Sequence, residues 1–284
     1  MCGIAGCVGA RDYKTVNRML DALPHRGPNV RGIHTHGDIV FGHTRLSIVD
    51  VALGHQPILS NGGSAGIICN GEIYNFRKLR NKLPPKYRFK TKSDSEVILN
   101  LYREKGPGCV KELDGMFAFA IFDGDDFMLA RDPIGIKPLY YGHYNGNLYF
   151  TSELGAMSLA GVDEVHEFPA GNYYTRAEGF VPYYQIPDIQ DSLLTDIEET
   201  SHLIRETFID AVKKRLLADP EVPIGSFCSG GLDSSLVAAI AAEEIPNLHT
   251  FVVGMEDEFG DLSDDVKAAR IAAKHIGSTH HELL

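Results

Sequence analysis

The chain has 284 residues, 44% of them apolar and 23% charged, with a formal net charge of −11 at pH 7. Those proportions describe an ordinary globular protein of one large domain or two smaller ones. The acidic balance gives no overall positive field for nucleic acid, no apolar run approaches the roughly 18 residues of a membrane span, and no secretory leader is evident, so a cytoplasmic protein without nucleic-acid or membrane partners is expected.

In chain order, Cys2–Val8 is an apolar strand. Asp12–Leu23 carries Val16, Met19, Leu20 and Leu23 on one helical stripe. Strands follow at Ile39–His43 and Gly66–Cys69. A helix is expected from about Asp94 to Glu104, with Ser93 and Glu96 spaced as a capping box. Met116–Phe122, Phe127–Ala130, Leu139–Tyr141 and Leu148–Thr151 are further strands, with turn pairs at Asp123-Gly124 and Asn145-Gly146. Residues 1–175 therefore predict an α+β domain of antiparallel sheets with helices on their outer faces.

Residues 176–194 contain Pro182 and Pro187 without periodicity and are the expected linker. Thr195, with Glu198 three residues on, is a candidate cap for a long amphipathic helix through Ile197, Leu203, Ile204, Phe208, Val212 and Leu216. Strand Val222–Phe227, helix Ser234–Glu243, strand His249–Val253, helix Ser263–His275 and a strand from Thr279 then alternate. Such alternation implies a parallel α/β sheet in residues 195–284. With three strands by Leu284 that sheet is unfinished, and a C-terminal truncation is expected.

The five cysteines are odd in number and form no Cys-x-x-Cys pair, which argues against a disulfide framework or a zinc site. Cys7, Cys69 and Cys109 lie in apolar surroundings and read as buried small hydrophobes. Cys2 differs, because removal of Met1 would leave it with a free α-amine beside its thiol. An amine of pKa roughly 7.7–8.0 could take the thiol's proton, joining nucleophile and base in one residue. By position alone, Cys2 reads equally as a small residue opening a buried strand. His280-His281-Glu282 is discounted as a metal site, since neighbours on a strand face opposite ways.

Met1-Cys2-Gly3-Ile4, His25-Arg26-Gly27-Pro28, Arg45-Leu46-Ser47-Ile48-Val49-Asp50, Asn70-Gly71-Glu72-Ile73-Tyr74-Asn75 and Ser93-Asp94-Ser95-Glu96 together resemble the glutaminase domain of class II glutamine amidotransferases. Ser229-Gly230-Gly231-Leu232-Asp233-Ser234-Ser235 resembles the pyrophosphate loop of N-type ATP pyrophosphatases. In this order the two resemble the glutamine-hydrolysing asparagine synthetases, over essentially the whole chain. The resemblance implies an Ntn-hydrolase-like first domain, followed by the start of an ATP pyrophosphatase domain.

Glutamine hydrolysis needs a nucleophile, a proton shuttle and oxyanion donors. Cys2 can supply the first two, and the Asn70 amide with the Gly71 backbone N–H the third. Arg45 suits glutamine's α-carboxylate, Glu72 and Asp94 its α-ammonium. Main-chain groups from Leu46 and Ser47 to Ile48 and Val49 are implied to hold the substrate. Each has a plain alternative: Asn-Gly as a turn, Arg45 as an ion pair, Asp94 as a helix-start carboxylate. His25–Pro28 is expected to be a structural turn, and Arg131–Tyr141 hairpin and core.

Ser229, Gly230, Gly231, Leu232, Asp233 and Ser234 form a strand-to-helix turn whose N–H groups can cradle an anion. Without a Gly-Lys-Ser/Thr ending it is not a P-loop. The resemblance implies ATP there, Mg²⁺ held with the help of Asp233, and nucleotide contacts from the main chains of Phe227 and Val253. Phe227-Cys228 departs from the family's usual small aliphatics or serine. The implied partners are glutamine, aspartate and ATP, with a homodimer as the assembly considered. Two other readings stay open: a different carboxylate acceptor, and a non-catalytic nucleotide-binding module. The truncated chain is expected to hydrolyse glutamine, to bind ATP weakly and to make no asparagine.

Overall fold

A computed structural model describes residues 1–188, 196–255 and 263–284 and divides into two units, Met1–Asp188 and residues 189–284. The first unit opens with β1 (Gly3–Val8), α1 (Tyr13–Asp21), β2 (Val30–His36), β3 (Ile39–Arg45), β4 (Ile58–Leu59) and β5 (Ala65–Ile73). Next come α2 (Phe76–Lys82), α3 (Asp94–Lys105), a 3-10 segment at Gly106–Glu112, β6 (Gly115–Asp123) and β7 (Asp126–Arg131). It closes with β8 (Tyr140–Tyr144), β9 (Asn147–Thr151), α4 (Leu154–Ala160), β10 (Val165–Glu167), β11 (Asn172–Thr175) and β12 (Gly179–Pro182).

Two six-stranded sheets result, ordered β10-β8-β9-β1-β3-β2 and β12-β11-β7-β6-β5-β4. Their inner faces share one core: Ile4, Phe41 and Phe150 from the first sheet meet Ile68, Ala120, Phe122 and Leu129 from the second. The outer face of the first sheet, through Ala5, Cys7, Val40 and Tyr149, packs on Val16, Met19 and Leu20 of α1 and Met157 of α4. α3 covers β5 on the second sheet. The result is four layers, helices outside two sheets. All six residues of β1 are buried, which explains its unbroken apolar run.

The sequence reading missed β2, β4, β10 and β12, and these are the four sheet edges. Edge strands need no apolar alternation, and β2, with Arg31, His34 and His36, has none. α2, α4 and β11 were also unforeseen. β12 lies inside the expected linker 176–194, and the Tyr183 and Tyr184 N–H groups donate to Gly171 O at 2.9 and 3.2 Å, so ordered structure extends past residue 175. The capping box is not formed either. Ser93 Oγ accepts from Ser95 N–H, but the Glu96 carboxylate accepts from the Lys90 and Thr91 N–H groups and the Thr91 hydroxyl. It ties down the incoming loop, and the Ser93 N–H donates instead to Thr91 Oγ1 at 3.1 Å.

The second unit contains α5 (Ile197–Lys213), β13 (Gly225–Phe227), α6 (Leu232–Glu244), β14 (His249–Val253), α7 (Asp264–Ile276) and β15 (Thr279–Leu283). Its three strands are parallel in that order. The expected cap Thr195 lies outside the described residues; Asp196 caps α5 by accepting the Glu199 N–H at 2.9 Å. β13 is three residues rather than six, since its partner β14 begins at His249, opposite Gly225. No helix among the described residues is long and apolar enough to cross a membrane.

Phe150 is fully buried, meets Phe41 edge-on at 5.7 Å, and lies where a side chain on Gly6 would fall. Phe150→Ala should therefore cost about 3–5 kcal/mol, read as a lowered urea midpoint of the first unit. A change under 1 kcal/mol would mean that the inter-sheet core is not what holds this unit.

Candidate active site

The site begins at an edge. Tyr74 N–H donates to Asp114 O and Gly124 N–H to Ser64 O, which bracket the β5–β6 ladder. In that antiparallel register the even-numbered residues of β5 bond to β6 and the odd-numbered ones turn outward. β4 pairs only with Gly66 and Ile67. Beyond it, Gln56 Oε1 accepts the Cys69 N–H at 2.6 Å and Asp94 Oδ2 accepts the Ile73 N–H at 2.8 Å. Gly71, midway, aims its N–H the same way, into a cavity of about 170 Å³ that it lines. A side chain here would fall 2.2 Å from Met116 O, so the close approach of β6 requires glycine.

Next to it, Asn70 is 1% exposed, and its Nδ2 is buried without a hydrogen-bond partner. An orphaned buried amide donor costs on the order of 1–3 kcal/mol. It lines the cavity, where a ligand acceptor could satisfy this donor.

Cys2 stands on the same cavity. Its Sγ lies 3.4 Å from the donating Leu46 N–H, and its carbonyl accepts Arg26 Nε–H at 2.9 Å. Arg26 also donates to Glu153 at 3.0 Å, so the expected structural turn holds the N-terminus in place. Burial pushes the Cys2 thiol above its usual value, partly offset by the Leu46 hydrogen bond, the N-terminal amine and Arg45. Such a thiol needs a base to ionise. Met1 also lines the cavity, and burial lowers the pKa of its amine.

Arg45 is 4% exposed. Its Nη1 donates to Val51 O and its Nη2 to Val49 O and Asp50 O. The guanidinium thus shapes the 46–51 loop, which bears Leu46, Ile48 and Val49 on the cavity. Ser47 does not line it; its N–H instead bonds Asn29 Oδ1 at 3.0 Å. Asp94, first residue of α3, also accepts the Ser95 N–H at 2.8 Å. Burial raises its pKa despite these bonds. Glu72 is pushed up to about 7, first by burial and then by Asp94. Two carboxylates facing one cavity make it a place for a cation.

Gln56 and Lys137 line the cavity too, and neither was foreseen. The segment Arg131–Tyr141 is therefore more than hairpin and core. Nothing local marks Gln56, whereas Lys137 lay in a segment already singled out.

In the second unit, Ser229–Ser234 turns from β13 into α6. Gly230 has φ +80 and would meet the Ala268 backbone if substituted. Gly231 caps α6 with no side-chain hydrogen bond, so the first-turn N–H groups have no capping side chain. Leu232 and Asp233 are in that first turn rather than ahead of it. The Ser234 hydroxyl accepts the Ser229 N–H at 3.2 Å and closes the turn. Phe227 and Val253, at the C-terminal ends of β13 and β14, are 77% and 64% exposed. A donor turn at these strand ends fits phosphate binding. Among the described residues no three of His, Cys, Asp and Glu converge on one point; Asp233 would hold Mg²⁺ together with phosphate and water oxygens. His280 bonds Thr250 and His281 bonds His249.

Glu72 carries a testable sign. Its folded pKa, about 7, lies above its ordinary 4.5, so the folded state holds a proton that the unfolded chain releases. Stability should fall as pH rises from about 4.5 to 7. Glu72→Gln should therefore be more stable than wild type at pH 8, on the order of 2 kcal/mol, and indistinguishable at pH 4.5. Equal urea midpoints at pH 8 would show Glu72 to be ordinarily solvated.

Residues 1–190 match the model of the glutamine amidotransferase domain, and residues 203–284 match that of asparagine synthase. The chain is 38% identical over 300 residues to an asparagine synthetase [glutamine-hydrolyzing] of Asparagus officinalis, covering 99% of this chain and 49% of that protein. It is 40% identical to asparagine synthetase B [glutamine-hydrolyzing] of Escherichia coli K12, covering 100% and 54%. The chain thus spans about half the length of the curated relatives it matches. Among solved structures, an allosteric regulatory enzyme of purine biosynthesis superposes with TM-score 0.57 at 20% identity, covering 91% of this chain and 66% of that one. A glutamine phosphoribosylpyrophosphate amidotransferase from B. subtilis gives 0.55 at 20%, covering 99% and 65%; both show the fold alone. With the first match extending through residue 190, the chain belongs to the glutamine amidotransferase domain family.

Proposed function

We propose that the first unit hydrolyses glutamine to glutamate and ammonia at Cys2. The observation that carries this reading is the unpartnered Asn70 Nδ2 beside the outward Gly71 N–H, in one cavity with the Cys2 thiol. Removal of Met1 frees the Cys2 amine, which takes the thiol proton as Sγ adds to the side-chain carbonyl. Asn70 Nδ2 and Gly71 N–H hold the oxyanion. The adduct collapses with the proton passing from the amine to the leaving nitrogen, releasing ammonia and leaving a thioester. Water then adds, the amine accepting its proton and returning it to the departing sulfur. Glu72 and Asp94 hold the α-ammonium, and Arg45 with its loop faces the α-carboxylate.

For the second unit we propose ATP at Ser229–Ser234, flanked by the main chains of Phe227 and Val253, with Mg²⁺ shared between Asp233 and the phosphates. The bound nucleotide would activate a carboxylate as an acyl-adenylate. Aspartate is the proposed acceptor, because the relatives above are named for asparagine synthesis; other carboxylates are the alternative. The five cysteines are unpaired, which accords with a reducing cytoplasmic setting.

Cys2→Ala should abolish glutamine hydrolysis. Asn70→Ala should lower kcat roughly 10²–10³-fold with little change in KM, whereas Asp94→Asn should chiefly raise KM. Coupled glutamate detection reads all three, and an Asn70→Ala enzyme with wild-type kcat would remove the oxyanion role.

Because Phe227 and Val253 are so exposed, the adenine would be covered on one side only and Mg-ATP binding by this chain should be weak. NMR titration with Mg-ATP should shift the Ser229–Ser234 amides, and Asp233→Asn should suppress the shifts. Equal shifts in the two would take Asp233 out of the metal site.

A further inference from the structure

Two buried charged side chains anchor one short turn and tie it to the strands around it, Arg131 also donating to Glu167 and Phe168 O and Asp132 also accepting the Phe117 N–H. Arg131 is 6% exposed and Asp132 is 0% exposed. Arg131 Nε–H donates to Lys137 O at 2.8 Å, and its Nη2–H to Gly135 O at 3.0 Å. Asp132 accepts the Lys137 N–H at 2.9 Å on Oδ2 and the Ile136 N–H at 2.9 Å on Oδ1. Lys137 N–H and C=O are therefore both held by charged partners, in the stronger class of hydrogen bonds. What the turn delivers is a lysine, 6% exposed, on the wall of the cavity that holds Cys2.

We propose that Lys137 is an electrostatic positioning residue, its buried ammonium holding the N-terminal amine beside Cys2 in the neutral form that accepts a proton. The inference rests on the glutaminase reading and deepens it.

The charges around the site show why such a group is needed. Facing it are the thiols of Cys2 and Cys69, the cations Arg26 and Arg45, and the carboxylates Glu72 and Asp94. A carboxylate pair suited to a substrate ammonium also favours the protonated form of any amine nearby, and a protonated amine cannot take the thiol proton. With Met1 in place, burial does most to lower the pKa of the N-terminal amine, Arg26 and Lys137 lower it further, and Cys2 and Glu72 raise it. Cys2, whose own amine is freed by removal of Met1, lines the same cavity. Arg26 is committed to the Cys2 carbonyl and Glu153. Burial lowers the pKa of Lys137 itself, and Glu72 supports its charge. A cation at 137 thus lets one cavity bind an ammonium and still keep a neutral amine as base.

The test uses the chain with its N-terminus checked by mass spectrometry, and compares wild type, Lys137→Met, Lys137→Gln and Lys137→Arg. Two quantities are followed against pH: kcat/KM for glutamine hydrolysis, and the rate of Cys2 alkylation by iodoacetamide, which needs no glutaminase activity. Each reports the coupled amine–thiol pair. Losing the cation should move the acid limb of both profiles up by about half to one pH unit, a roughly three- to tenfold loss below the limb and little above it. Lys137→Arg should restore the limb. An unmoved limb, with only lower stability or a changed KM, would overturn the proposal. Should neither neutral variant fold, Lys137→Leu and Lys137→Thr take their place, with the same upward shift of the alkylation limb expected and an unmoved limb refuting the role. Wild-type chain that splits no glutamine would refute the glutaminase reading, while the alkylation limb would still report on Lys137.

Discussion

β4 begins only at Ile58, opposite Ile67, and from Ile68 onward the outer edge of β5 has no strand to pair with. A bare edge inside a packed unit would leave backbone donors unsatisfied, at a cost comparable to a lost hydrogen bond for each. Two donors are answered by side chains from distant segments, Cys69 N–H by Gln56 and Ile73 N–H by Asp94. The Gly71 N–H between them faces the cavity instead. The pocket is that gap in the edge. Asn70 sits beside it, α3 is docked against it through Asp94, and Cys2 reaches it from the other sheet.

The charges in the cavity pull against stability. Glu72 and Asp94 are both raised by burial, and Glu72 further by its neighbour, so ionising them in the folded chain is unfavourable. A ligand ammonium would relieve this, which makes the pair a binding device with a folding cost. Arg45 is less free than a substrate clamp would suggest, because both of its Nη atoms donate to loop carbonyls. A side chain on Gly54 would fall 2.4 Å from its Nη2, so the loop closes on the guanidinium. Its charge still faces the site, while its hydrogen bonds organise the wall.

In the second unit, α6 and α7 give one face of the sheet its cover, through Ala238 and Ala241 with Cys228, and Val266 and Ala269 with Val252. β14 alternates exposed and buried residues along its length, and Phe251 and Val253 are among the exposed ones. The proposed nucleotide turn is nonetheless set by local means: a positive-φ glycine, a glycine cap and the hydroxyls of Ser229 and Ser234.

Local pattern was sufficient for much of this protein. The strands buried on both faces announce themselves by apolar runs, α1 by its apolar stripe, α3 by its Ser93 cap, and the turn after β13 by its glycines. Cys2, Glu72 and Asp94, which share one cavity, were singled out by the resemblance of their motifs to a family, since each residue by itself had an equally plain structural reading. Tertiary structure decided what depends on partners far along the chain. The four edges of the first unit's two sheets are polar or very short and carry no period. Gln56 matters only because β4 starts no earlier than Ile58, and Ser47 leaves the cavity because Asn29 takes its N–H. Glu96 abandons its capping box for the loop at Lys90 and Thr91. Lys137 reaches the cavity because Arg131 and Asp132 bend the chain there. In each case a hydrogen bond between distant segments outweighed the local preference, and spacing along a sequence carries no record of which distant segment will supply it.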